Sequence, residues 1–178
     1  MQIDIRRELM DSISPEELFM WTVEPIALEM HSGKGSGHKY DVYKELSDGQ
    51  RAAFMFWVLY SHAPDEAQFY TWMPYMRQPK PDYWNQLRIG MKLIGCTDVL
   101  MFMKKCDEIF SVLEEMKSAW TDFKISDLED PVLKQGIQRL YLEFQELAPR
   151  AIDFIGIYIK DHVNDFLTVI IDPCISES

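Results

Sequence analysis

The stretch TDVLMFMKKCDEIFSVLEEM, residues 97–116, decides the fold class. Val99, Phe102, Cys106, Ile109, Leu113 and Met116 recur at steps of three and four, the period of an amphipathic helix rather than of a strand. Thr97 is placed to cap this helix, and Gly95 to stop the one before it, which opens at Pro81 and runs to Ile94. The same period recurs further on. Asp130-Pro131 starts a helix with Leu133, Ile137, Leu140, Tyr141, Phe144 and Leu147 on one face. Pro149 either kinks it or starts a last helix carrying Ile152, Ile155, Ile159, Val163 and Phe166. Residues 118–130 between them read as an acidic loop.

Upstream, Ser14-Pro15-Glu16-Glu17 is a helix start: a capping hydroxyl, a proline for the first position and two acids for the macrodipole. That helix runs to about Met30, with a kink or restart expected at Pro25. HSGKGSGHK (31–39) reads as a surface loop. Ser47-Asp48-Gly49-Gln50 fits a capping box. The following run, Ala52 to Tyr60, is apolar on every face, so it belongs at the centre of the core. Ala63-Pro64-Asp65 ends it and starts a short helix with Phe69, Tyr70 and Trp72, and Pro74, Pro79 and Pro81 punctuate the loop that follows. The tail TVIIDPCISES leans towards strand. The expectation is an all-α fold: one compact domain (1–178) of six or seven helices, with an N-terminal helix and glycine-rich loop (1–46), a core (47–166) and a tail (167–178).

A chain of 178 residues can bury roughly 70% of its unfolded surface without metal or disulfide staples. Apolar residues make up 47%, which excludes a disordered chain. Eighteen Lys and Arg face 29 Asp and Glu, a net charge of −11. Direct nucleic-acid binding and a hold on anionic lipid are both disfavoured, since each needs clustered cations. Residues 1–30 hold seven acids against Arg6 and Arg7, residues 31–117 hold eleven of each sign, and residues 118–178 hold eleven acids against five bases. The two ends carry the whole excess and would form one acidic region if they pack together. Cys96, Cys106 and Cys174 form no CxxC and no even disulfide set, and Cys96 and Cys106 read as small buried hydrophobes. MQIDIRREL lacks the character of a signal peptide, and no run of 18 apolar residues exists. A cytoplasmic protein without a membrane partner is expected.

Enzyme signatures are weak. Gly33-Lys34-Gly35-Ser36 lacks P-loop spacing. His31, His38, His62 and His162 show no metal-ligand spacing, so no metal or cofactor is expected. Tyr158 and His162, four apart, read as a packed pair at a helix C-terminus. The acid pairs Glu16-Glu17, Glu114-Glu115 and Glu129-Asp130 sit at helix ends or in loops, where solvation rather than catalysis is the norm. Aromatic residues crowd between Phe54 and Trp84. They either fill the core or line a groove around Tyr70, Trp72 and Tyr75.

Two segments, FYTWMPYMRQPKPDYWNQLRIGMKLIGCTDVLMFMKKCDEIF (69–110) and LYLEFQELAPRAIDFIGIYIKDHVNDF (140–166), together resemble an acidic all-helical bacterial family that includes a DNA mimic protein. The resemblance spans about residues 47–166. Where that family carries Asn-Gly-Gly-Phe, this chain reads Asp65-Glu66-Ala67-Gln68-Phe69, keeping only the Phe. The resemblance implies a non-enzymatic protein whose carboxylates stand in for phosphates and occupy a basic protein surface, that of a DNA-binding regulator. Its candidate partner-binding residues are the densest acids of the matched region: Asp122, Asp127, Glu129, Asp130, Glu143, Glu146, Asp153 and Asp161. Two other functions stay open. One is an immunity-type protein that neutralises a toxin. The other is a small-ligand binder or enzyme using the aromatic groove. The sequence leaves the oligomeric state open.

Overall fold

In a computed structural model, residues 1–32 and 36–170 are described. The order of their principal elements is β1 (Asp4–Arg6), α1 (Arg7–Ser12), α2 (Pro15–Met30), α3 (Ser36–Glu45), α4 (Asp48–Ser61), α5 (Glu66–Met76), α6 (Tyr83–Ile94), α7 (Thr97–Glu115), α8 (Pro131–Asp161) and β2 (Thr168–Ile170). The fold is all-α, with eight α-helices and one two-stranded pair among the described residues. The chain gathers into two compact units. The first comprises residues 1–54 and 152–178, the second residues 55–151. The boundary falls inside α4 and α8.

In the first unit residues 4–6 and 168–170 are joined. β1 and β2 pair in parallel, with Asp4 opposite Thr168, Ile5 opposite Val169 and Arg6 opposite Ile170. Ile5 is buried beneath the pair. The expected capping box forms: Gln50 N–H donates to Ser47 Oγ at 3.1 Å, and Ser47 N–H to Gln50 Oε1 at 3.0 Å. Gln50 is itself buried, and its Nε2 goes on to donate to Met1 O (2.9 Å) and Phe166 O (2.7 Å). The second cap is also complete. Ser14 Oγ accepts from Glu17 N–H, and the Glu17 carboxylate takes the Ser14 N–H and hydroxyl. Gly156 of α8 lies directly against the backbone of Pro15, which starts α2.

The second unit packs around aromatic rings. Phe69 of α5 meets Phe102 and Phe110 of α7, each at 6.3 Å between centroids, and Phe144 of α8 at 5.8 Å. All four are buried, and burying each such side chain stabilises by roughly 1.5–3 kcal/mol. Asp65 caps α5 by accepting from Gln68 N–H at 2.8 Å. Gly95, in the left-handed region at φ 78°, ends α6 as expected. Across the α5–α7 junction Arg77 donates to Glu114 through two nitrogens (2.8 and 3.1 Å), to Asp107 and to Ser111. Asp107 also accepts from Trp84 Nε1–H (2.8 Å) and Arg88 (2.5 Å).

Several local expectations are corrected. α2 continues through Pro25 and α8 through Pro149. The residues flanking each proline are buried (Val23, Ile26 and Ala27; Leu147, Ala148, Ala151 and Ile152), and their packing outweighs one lost ladder bond. α5 likewise runs through Pro74. α6 starts at Tyr83, because Asp82 adopts a left-handed φ of 65° that delays it. Thr97 begins α7 rather than capping it. The expected loop 31–39 gives way to α3 at Ser36. α3 is anchored by buried Val42 and by His38, whose Nε2 lies 3.1 Å from Glu29 O. Gly33, Lys34, Gly35, the Ser36 side chain and Cys174 lie outside the described residues. Met116, placed on the apolar face of α7 by periodicity, is exposed.

Candidate partner-binding surface

Of the 29 acidic side chains, fifteen belong to the first unit, against seven of the 18 basic ones, a net of −8. The second unit holds fourteen acids and eleven bases, a net of −3. The acid-rich segment 1–30 thus lies wholly in the first unit, whereas the acid-rich segment 118–178 is divided, with six of its eleven acids in the second. Asp4, Glu8, Asp11, Glu16, Glu17, Glu24, Asp41, Glu45, Asp48, Asp153, Asp161 and Asp165 are all exposed there.

Contacts place some of them together. Lys160 Nζ donates to Asp11 O at 3.4 Å, and Gly156 abuts Pro15. Asp153 and Lys160 lie three and four residues from Gly156, so they share its side of α8. Asp11, Glu16 and Asp153 thus lie near these two contacts, and Asp161 follows Lys160 along the chain. A concavity of about 410 Å³ elsewhere in the unit is lined by Glu29, His38, Asp41, Val42 and Glu45 together with Met1 and Gln2. His38 Nε2 stands 3.0 Å from Glu29 Oε1.

The eight candidate acids divide between the units. Asp153 and Asp161 are exposed in the first. Asp122, Asp127, Glu129, Asp130, Glu143 and Glu146 lie in the second. Four of those six carboxylates are engaged within the unit. Asp122 Oδ2 accepts from Ser118 N–H and Ala119 N–H at 3.1 and 2.9 Å. Asp127 Oδ2 accepts from Tyr70 OH, Lys117 Nζ and Lys124 N–H, each at 2.9 Å. Burial pushes the Asp127 pKa up, but those three donors outweigh it and hold the group below the usual aspartate value. Glu143 pairs with Lys105 at 2.5 Å. Asp130 caps α8 with one oxygen, taking Val132 N–H and Leu133 N–H. Glu129 and Glu146 project into solvent. Arg139, Glu143, Glu146 and Arg150 follow one another at steps of four, three and four on α8, so its acids there are interleaved with bases.

The aromatic candidates also separate. Trp72 and Tyr75 are half-buried neighbours with centroids 4.8 Å apart. Tyr70 is fully buried between Phe110 and Phe123, with its hydroxyl on Asp127. Burial and the Asp127 carboxylate push its phenol far above the usual tyrosine value, so it stays neutral. Tyr158 and His162 form the expected pair, stacked at 4.0 Å, with His162 Nδ1 3.0 Å from Tyr158 O. Cys96 and Cys106 are free and buried, and burial raises both thiols away from reactivity.

Sequence reasoning named Asp153 and Asp161 but missed Glu8, Asp11 and Glu16 as surface candidates. The signal was the net of −5 in residues 1–30, and it lay outside the matched segments. Among the described residues no group of three or more His, Cys, Asp or Glu side chains could hold a metal ion. No described helix is long and apolar enough to cross a membrane. No family model, curated protein or solved structure matches the chain.

Proposed function

We propose that the protein is a non-enzymatic interaction protein of the cytoplasm. It presents the exposed carboxylates of its first unit to a basic protein surface and stands in for DNA at a DNA-binding protein. The observation that supports this reading is the net charge of −8 on the first unit, against −3 on the second. A field of that sign attracts a cationic face and repels nucleic acid. The exposed Asp11, Glu16, Asp153 and Asp161 supply anions in that unit, and the acid-lined concavity offers room for a basic side chain.

The test is capture of proteins from native lysate on immobilised full-length chain, eluted by a salt step and, separately, by duplex DNA. The account expects a DNA-binding protein that is released by both, because such contacts are screened. A partner that resists salt and is not displaced by DNA would point instead to an immunity-type complex.

A further inference from the structure

Between α7 and α8 of the second unit, residues 117–129 form two 3-10 turns, Trp120–Asp122 and Ile125–Glu129, both packed against α5. Of these residues only Phe123 is buried. Most of the segment's hydrogen bonds close within it. Asp122 N–H donates to Ala119 O at 3.0 Å, Phe123 N–H to Trp120 O at 3.3 Å and Asp127 N–H to Lys124 O at 2.9 Å. The Asp122 carboxylate takes Ser118 N–H and Ala119 N–H. Lys117 Nζ donates to Asp122 O at 3.2 Å and to Asp127 Oδ2 at 2.9 Å.

Ties to the rest of the unit are few among the described residues. The Phe123 ring lies 5.6 Å from the Tyr70 ring and 6.5 Å from the Phe110 ring, and Trp120 meets Tyr75 edge-on at 5.0 Å. One side-chain hydrogen bond joins the segment to α5, from Tyr70 O–H to Asp127 Oδ2 at 2.9 Å. At the two ends Lys117 N–H donates to Glu114 O and Asp130 N–H to Asp127 O. Few buried apolar contacts place a segment at the low end of local stability. The helices beneath it differ, because α5, α7 and α8 share the buried Phe69, Phe102, Phe110 and Phe144. The connection 77–82 between α5 and α6 differs too, since Arg77 pins its start to Asp107, Ser111 and Glu114.

We propose that residues 117–129 are a latched lid over Tyr70 and Phe110, which opens as a unit while α5, α7 and α8 stay folded, with the Tyr70–Asp127 hydrogen bond as its latch. Asp127 Oδ2 is the point where donors from α5, from the end of α7 and from the lid itself converge, so its release loosens all three. Single turns do not persist in water once undocked, so an open lid exchanges its internal bonds for solvent. Opening uncovers the Tyr70 ring and hydroxyl, which are fully buried in the closed form. The inference is independent of the basic-partner reading.

The test is native-state hydrogen–deuterium exchange, read by mass spectrometry on the full chain with and without low urea. Two variants weaken the latch, Tyr70→Phe and Asp127→Asn. A third, Phe144→Leu, loosens the core at Phe69 and Phe102, which its ring contacts. Each is checked by thermal melting. In the unsubstituted chain the lid amides should exchange faster than those of α7 and α8, at a rate that low urea changes little. Each latch variant should speed lid exchange about tenfold. Phe144→Leu should speed α7 and α8 and leave the lid rate unchanged. Lid amides that exchange at the α7 rate, with the same urea dependence, would overturn the proposal, because the segment would then open only with the whole unit. So would a lid that Phe144→Leu speeds by the same factor as α7. Folded latch variants with unchanged lid exchange would overturn the Tyr70–Asp127 latch. Tyr70→Phe deletes one hydroxyl and keeps the ring, so it decides the latch even where Asp127→Asn does not fold.

Discussion

Gln50 Nε2 donates at 2.7 Å to the carbonyl of Phe166, a residue 116 positions further along the chain. The same amide nitrogen reaches Met1 O, and the same side chain closes the N-terminal box of α4 through Ser47. One buried amide thus ties Met1 and Phe166 to one helix.

Replacing Gln50 by Leu removes the partner of one buried carbonyl, one part-buried carbonyl and one helix-terminal N–H. The expected cost is about 1–3 kcal/mol. For a chain of this size that corresponds to a melting temperature lower by roughly 2–4 °C per kcal/mol. Differential scanning calorimetry measures it, and an unchanged midpoint would contradict the tie.

Gly156 and Gly136 lie on the same helix and predict opposite outcomes. A Cβ on Gly156 would run into the Pro15 backbone, which has no room to yield, whereas one on Gly136 meets nothing within 4 Å. Gly156→Ala should destabilise by about 1–3 kcal/mol. Gly136→Ala should stabilise by about 0.5–1 kcal/mol, by restricting the unfolded chain. Urea denaturation of the two variants side by side tests the pair, and equal shifts would sink it.

Asp127 predicts a pH dependence. Its pKa is lowered in the folded protein, so its contribution is present above the unfolded value and is lost as pH falls through the folded one. Asp127→Asn should cost about 1–2 kcal/mol at neutral pH. The gap from the unsubstituted protein should narrow below about pH 4, near the ordinary aspartate value. Denaturation curves across that range decide it. A gap that keeps its size down to about pH 2 would mean the carboxylate charge plays no part.

The hub around Asp107 gives a packing prediction. Arg77, Arg88 and Trp84 all donate to it, and the Arg77 side chain is only 9% exposed. Asp107→Ala strands those donors at a half-exposed site and should cost about 1–3 kcal/mol. Arg77→Lys should also destabilise, because an ammonium cannot reproduce the two-nitrogen grip on Glu114. A double-mutant cycle between Arg77 and Asp107 that returns no coupling would contradict the hub.

What the sequence disclosed was local. The caps at Ser14, Ser47, Asp65 and Asp130, the stop at Gly95, the faces of α7 and α8 and the Tyr158–His162 pair follow from neighbours within four residues. The β1–β2 pair was not legible: three residues near each end carry no alternation to reveal a parallel partner 164 positions away. α3 was hidden because its first residues are polar and glycine-containing, and it is held by Val42 and His38 against α2. Pro25 and Pro149 misled because tertiary burial overrode local propensity. At the surface, charge density along the chain could not distinguish Asp127 and Glu143, which are bound to lysines folded against them, from Glu129 and Glu146, which are exposed. Tyr70 and Trp72 are two residues apart, yet one is in the core and the other is half-buried.

The most direct test of the account is salt-dependent capture by two charge-neutralised variants of equal charge change. One carries Asp11→Asn, Glu16→Gln, Asp153→Asn and Asp161→Asn in the first unit. The other carries Asp122→Asn, Glu129→Gln, Asp130→Asn and Glu146→Gln in the second. The account predicts that the first loses its DNA-displaceable partner while the second keeps it. Loss by the second alone, or equal capture by both, would contradict the assignment of binding to the first unit.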